Sequence, residues 1–243
     1  MERVTDQALM LSAVDHGESD RVVTFLTRTH GRLAAFAAGA RRSRKRFSGA
    51  LEPFMLLSLG WTERRGGTAR LETADIRRGF YPIREDLPRI ARALYCMELL
   101  RELTRDGQPH PELFDAAVEW LDAQERGVAG PTSLIAFELG ALEQVGLMPR
   151  FDACALCGRE AGRVHFEPSH GGRICDACLP RAPAAIPVPA ELLAQLTALQ
   201  AGARTPLSPE ARARARALLN LFVEHHLGRR LRSVDFMAQL GVD

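Results

Sequence analysis

The chain has 243 residues, 46% of them hydrophobic, and a formal net charge of +2, enough apolar content for one large domain or two small ones. No apolar run approaches the roughly 20 residues that span a bilayer, and Met1-Glu2-Arg3-Val4-Thr5-Asp6 does not read as a secretory signal. The composition therefore excludes a helical membrane protein, and the expectation is a cytoplasmic one.

Residues 1–80 read as five short strands. Ala8 to Val14 is the first, closed by the polar stretch Asp15-His16-Gly17-Glu18-Ser19-Asp20. Val22 to Thr27, rich in β-branched residues, is the second. Arg32 to Ala38 follows the turn at His30-Gly31. A long connection leads to Pro53–Leu59, and the hairpin turn Arg64-Arg65-Gly66-Gly67 leads to Ala69–Ile76. Five strands with a long third connection predict a small closed barrel of the OB type.

That long connection carries the densest charge of the chain. Arg41, Arg42, Arg44, Lys45 and Arg46 fall within six positions, between Gly39 and Gly49. Residues 1–80 hold 14 Arg and Lys against 9 Asp and Glu, whereas the rest holds 18 against 21, so the positive charge is concentrated. A run this dense calls for a counter-charge and points to a polyanion; the plainer reading is a solvated basic loop.

From Asp86 the period changes to three and four. Leu87, Ile90, Ala91, Leu94, Met97 and Leu100 mark an amphipathic helix. Pro111 opens a second helix, and Thr132–Leu147, almost wholly apolar, predicts a central core helix ended by Gly146 and Pro149. A cysteine module at 151–180 and a proline-rich connector come next. Two further helices are expected, over about 189–201 and 208–227, the second capped by Ser208. The fold class is therefore α+β, with a barrel domain at 1–80 and a helical domain at 81–243 that carries the cysteine module.

Cys154-x2-Cys157-x17-Cys175-x2-Cys178 has the two-knuckle spacing of four-cysteine zinc. Each pair sets two thiolates on one tight turn, and the stretch between reads as a small hairpin turning at Gly171-Gly172. Four cysteines fill a tetrahedral shell, so one structural Zn2+ with no open position is predicted. Cys96 reads as a buried apolar residue. No Walker A sequence, HExxH or GxSxG occurs, and nothing argues for bond-making chemistry; no catalytic residue is expected.

Several segments together resemble the bacterial RecO family of recombination mediators. They are His16 to Arg21, Phe25 to Leu33, Ala38-Gly39-Ala40-Arg41-Arg42-Ser43 leading to Leu51-Glu52-Pro53-Phe54, the knuckle Phe151 to Gly158, and Arg230-Leu231-Arg232-Ser233. The resemblance implies an OB-fold, a helical domain and a zinc-binding element. It implies a DNA repair and recombination function: binding of single- and double-stranded DNA, annealing of complementary strands, and work with RecR and SSB to place RecA on gapped DNA, with a functional link to RecF. Phosphate neutralisation lowers the repulsion between strands. That role falls first to Arg41, Arg42, Arg44, Lys45 and Arg46, then to Arg21, Arg28 and Arg32. Phe47 is the expected platform for an unstacked base, with Phe36 and Trp61 read as barrel core. Arg229, Arg230 and Arg232 form a second cationic set. The competing readings are a zinc-ribbon OB protein that binds RNA and a metal-dependent enzyme.

Overall fold

Apolar residues at every second position build the first half of the molecule. In the computed structural model, which describes residues 3–42, 47, 49–64, 67–160 and 162–242, five strands close on themselves. They are β1 (Arg3–His16), β2 (Asp20–Thr27), β3 (Gly31–Ala37), β4 (Leu56–Arg64) and β5 (Gly67–Arg78), ordered β1-β2-β3-β5-β4, with β1 pairing with β4 to complete the barrel. Met10, Phe25, Leu57, Leu59, Trp61 and Leu71 fill the interior, each contributing about 1.5–3 kcal/mol of burial. Neighbouring strands are antiparallel except β3 and β5. These run parallel and pair only at Ala35–Ala69 and Phe36–Arg70, and beyond that seam a cleft of about 680 Å³ opens, lined in part by Leu33, Ala34, Trp61 and Thr68. This is the OB-type barrel that the strand pattern predicts.

The fourth strand starts at Leu56 rather than Pro53, because the chain turns just before it. Phe54 holds a left-handed backbone with φ of 54°, its N–H donates to the Met10 carbonyl (3.1 Å), and Met10 N–H donates to Met55 (3.0 Å). A left-handed non-glycine residue costs about 1–2 kcal/mol. Burial of the Phe54 ring, with the Arg84 guanidinium 4.9 Å above it, offsets that cost.

Two helices complete this unit, which spans Met1–Val128. α1 (Leu87–Leu103) begins where the Asp86 side chain accepts from Arg89 N–H at 2.8 Å. It lies against β1 and β2, whose Leu9, Leu11 and Leu26 are buried although they face away from the barrel interior. α2 (Pro111–Glu125) is tied to the barrel by charge: Arg28 makes a two-pronged contact with Asp115 (2.9 and 2.7 Å), and Arg78 reaches Asp122 and Glu125.

The second unit, Ala129–Asp243, packs α3 (Pro131–Gln144) against α4 (Ala190–Gln200) and α5 (Pro209–Leu227). Ser208 caps α5 by accepting from Ala211 N–H. The core helix α3 carries a charge inside: Glu138 is fully buried and pairs with Arg216 of α5. A three-stranded sheet, β6 (Val164–Glu167), β7 (Gly172–Cys175) and β8 (Ile186–Pro187), lies between α3 and α4 in sequence. An unexpected last helix, α6 (Arg232–Gln239), follows α5 and buries Val234 and Met237.

Candidate nucleic-acid interface and metal centre

The β1–β2 turn and the start of the basic loop are stitched together. Arg41 N–H donates to the Ser19 carbonyl (2.9 Å), and Gly39 N–H donates to the Asp20 carboxylate (2.7 Å), which holds the Asp20 carboxyl below its ordinary range. The side chains follow suit. Asp15 bridges two guanidinium groups, Arg21 Nε at 3.1 Å and Arg41 Nε at 3.3 Å; Arg41 also donates to the Gly17 carbonyl at 2.9 Å. Arg42 meets Glu18 at 2.7 Å, and Arg21 lies 3.7 Å from Glu52. The counter-charge that the density of the run demanded is thus supplied, for these residues, by the protein itself. Arg44, Lys45 and Arg46 lie outside the described residues.

The other cations expected on the barrel divide differently. Arg28 is held by Asp115 of α2, a contact that draws the Asp115 carboxyl below its usual range. Arg32 donates to Asp106 (2.7 Å) and to the Arg101 carbonyl (2.6 Å) at the end of α1. Both are engaged with the helices rather than with the 41–42 loop. Arg21 alone of the three joins it.

Phe47 is 4% exposed and packed in the barrel core, so it offers no face to a base, contrary to the expected platform role. Phe36 is the reverse case. Ala35 and Ala37 point inward, which turns Phe36 outward on β3, half-buried, with its ring edge-on to His16 (centroids 5.6 Å apart, planes at 81°). Val22 on β2 stands opposite Phe36, and Val14 on β1, 65% exposed, stands opposite Val22. An aromatic and aliphatic stripe therefore crosses the outer face of β1–β2–β3, next to the turn that holds Arg41 and Arg42. The period-2 alternation of Leu33–Ala37 carried this signal: one phase puts two alanines inside, the other puts Phe36 there. Trp61 is buried, as expected.

In the second unit the four cysteines converge: Cys154, Cys157, Cys175 and Cys178 place their sulfurs all within 4.8 Å of one another. Cys157 and Cys175 Sγ are 3.6 Å apart. With zinc–sulfur bonds of about 2.3 Å, tetrahedral sulfurs sit about 3.8 Å apart, so the set fits that ion. The first knuckle closes through Gly158 N–H to the Cys154 carbonyl (2.8 Å), with Gly158 at φ 74°, and Cys175 N–H points at Cys154 Sγ (3.4 Å). Burial opposes ionisation of Cys154, but N–H donors from Cys175, Leu156 and Cys157 outweigh it and bring the thiol down to about 6. At Cys178 burial, reinforced by the neighbouring thiols, pushes the value up to about 12. Four like groups at this spacing ionise together only around a cation.

The hairpin that carries Cys175 pairs Val164 with Cys175 and Glu167 with Gly172. A Cβ at Gly172 would lie 2.1 Å from the Arg150 carbonyl oxygen, so only glycine admits this approach. Arg150 is bound there on both sides, its N–H donating to Gly171 (2.9 Å) and its carbonyl accepting from Arg173 (2.8 Å). Phe151, Phe166 and Phe222 stack in a row with successive centroids 6.0 Å apart, which anchors the module on α5. His170 is engaged with Glu167 at 2.6 Å. Cys96 is fully buried on α1, and burial pushes its thiol well above its ordinary range. The C-terminal arginines Arg229, Arg230 and Arg232 are exposed, with Arg230 2.9 Å from Asp235. No helix among the described residues is long and apolar enough to cross a membrane.

Comparison with known proteins covers the whole chain. The family model described as "Recombination protein O N terminal" matches residues 1–80, and "Recombination protein O C terminal" matches residues 84–235. The DNA repair protein RecO of Myxococcus xanthus (strain DK1622) is 62% identical over 244 residues, covering 100% of both chains. The RecO of Anaeromyxobacter sp. (strain K) is 51% identical over 99% of this chain and 98% of its own, and that of Geobacter sulfurreducens 35% identical over 99% of each. Barrel, helices and four-cysteine cluster all fall within these matches, and the chain belongs to the RecO family of DNA repair proteins.

Proposed function

We propose that this protein is a recombination mediator that binds single- and double-stranded DNA on its barrel and anneals complementary strands. With RecR it helps place RecA on SSB-coated single strands, in functional linkage with RecF, in the cytoplasm at the nucleoid. It works by neutralising phosphates and holding strands, with no covalent step. The observation that carries this reading is the stripe of Phe36, Val22 and Val14 lying beside the turn that holds Arg41 and Arg42, a combination of base platform and cationic border suited to single strands. Arg41, Arg42, Arg44, Lys45 and Arg46 contact phosphates, Arg21 assists, and Phe36 takes the stacking role first expected of Phe47. The metal is zinc, held by Cys154, Cys157, Cys175 and Cys178; it fixes the fold of the module, and its four-sulfur shell leaves no place for a reacting water.

Replacing Arg41, Arg42 and Arg44 together by alanine should weaken binding to DNA of any sequence and flatten the dependence of log K on log salt by about one unit per lost phosphate contact. An unchanged slope would remove the loop from the interface. Phe36→Ala should cost about 1–3 kcal/mol on a single strand and much less on a duplex, whose bases are already stacked; equal losses on both would reject the platform. Annealing assays with DNA and RNA strands in parallel separate this reading from an RNA-binding one.

A further inference from the structure

The arginines nearest the proposed interface are already occupied by carboxylates. Arg21, Arg41 and Arg42 carry three positive charges, and Asp15, Glu18 and Glu52, their partners at 2.7–3.7 Å, carry three negative ones. These arginines are therefore matched one for one by carboxylates, and Asp20 on the same turn adds a further negative charge that acts on Arg42. Asp15 is central, because its two oxygens serve arginines of two different segments, Oδ1 on Arg21 of β2 and Oδ2 on Arg41 of the loop after β3. All of these groups except Arg21 are more than one-third exposed, and Glu18 is 88% exposed, so the contacts are of the weak surface kind that another anion displaces. A phosphate oxygen has the same complementarity to a guanidinium fork as a carboxylate oxygen.

We infer that Asp15 and Glu18 are a built-in competitor for nucleic-acid phosphate: they clasp Arg41, Arg42 and Arg21 in the free protein and are displaced when a strand binds. The clasp keeps the cationic side chains extended and in place, yet subtracts from affinity a fixed amount that every ligand must overcome. A polyphosphate strand overcomes it through many simultaneous contacts; an isolated anion gains only one. The device thus biases the surface toward strands and keeps strand binding reversible, which annealing requires, since each strand must be released into the duplex. This inference rests on the proposed reading of the barrel as a DNA-binding surface.

The test is equilibrium binding of the full-length protein to a fluorescent 30-nucleotide single strand, followed by anisotropy at fixed salt. Asp15→Asn should tighten binding about threefold to fivefold, and Glu18→Gln about twofold, the range that release of exposed ion pairs allows. Asp75→Asn, which removes the same charge from an exposed position on β5, should leave affinity nearly unchanged. In a background of Arg21→Ala and Arg41→Ala, Asp15→Asn should bring no gain, because its effect acts through those two arginines. The inference is overturned if Asp15→Asn weakens binding, if Asp75→Asn gives an equal gain, or if the gain survives in the double-arginine background. A triple change of Arg41, Arg42 and Arg44 with undiminished binding would instead remove the loop reading beneath it. Asp15 and Glu18 lie at an exposed turn, and melting curves of the variants confirm that each is folded.

Discussion

Single residues decide more here than their size implies. Gly31 opens β3 with φ of 75°, and a Cβ there would lie 2.4 Å from the Gln108 carbonyl oxygen. Gly31→Ala should therefore cost at least about 2 kcal/mol, combining left-handed strain with overpacking, and chemical denaturation measures it directly. Asp6 is a second such residue. Burial opposes its charged form, but His30 Nδ1 at 3.0 Å and the Thr29 N–H and hydroxyl at 2.8 and 2.9 Å prevail, and its carboxyl is held below the ordinary 3.8. Because the folded value is depressed, the contribution is fully present above pH 3.8 and disappears as pH falls through the lower folded value. An acid-unfolding titration should show Asp6→Asn less stable than the parent at neutral pH, with the gap closing below that pH. A gap that stays constant into acid would place the effect elsewhere. The charges of Arg28, Arg32, Arg41 and Arg42 were legible in the sequence, but their partners were not. Asp115 is 87 positions from Arg28 and Asp106 is 74 from Arg32, and spacing along a chain says nothing about such pairs.

Secondary-structure elements were legible in proportion to their periodicity. α1 announced its apolar period and α5 its cap, Ser208, which the structure confirms; the Asp86 cap of α1 came only with the structure. The two CxxC pairs were plain because each knuckle is a local turn and their joint chemistry needs no long-range register. α6 escaped notice because it is eight residues long and follows a run of arginines. Phe36 and Phe47 were interchanged for a physical reason: which phase of a strand faces inward is fixed by register with its neighbours, and a loop residue has no phase at all. Between α3 and α5, Glu138 and Arg216 meet with 0% and 8% of their side chains exposed. Removing one partner leaves a buried charge alone, so Glu138→Leu should cost about 3–5 kcal/mol, while Glu138→Leu with Arg216→Met should recover most of that loss. Thermal melting of the two variants distinguishes this from a simple packing defect, which the second substitution would not repair.

At the scale of the molecule, the metal module and the barrel are separate in sequence and in construction. The barrel is held by a packed interior; the module has only a small core around Cys154, Ile174, Cys175 and Cys178, too little to hold four thiols together without a cation. Chelation of the zinc proposed for this site should therefore lower the melting temperature and raise amide exchange through 150–187. Cys154→Ser should do the same without chelator, with metal content dropping from one equivalent to none. Normal melting of a metal-free protein would overturn the structural assignment.

The narrow seam between β3 and β5 has a kinetic meaning. β1, β2 and β3 follow one another through short turns and can zip locally, and so can β4 and β5. The ladders that join the two pieces are β1–β4, from Arg3–Thr62 to Leu9–Leu56, and β3–β5, at Ala35–Ala69 and Phe36–Arg70, across loops whose closure entropy is spent before any contact repays it. Closure is then the expected slow event of folding, and β3–β5, with two pairs to gain, is the side expected to shut last and open first. Substitutions on the β1–β4 side should slow refolding, whereas Ala35→Gly should mainly quicken unfolding, a difference that stopped-flow mixing resolves.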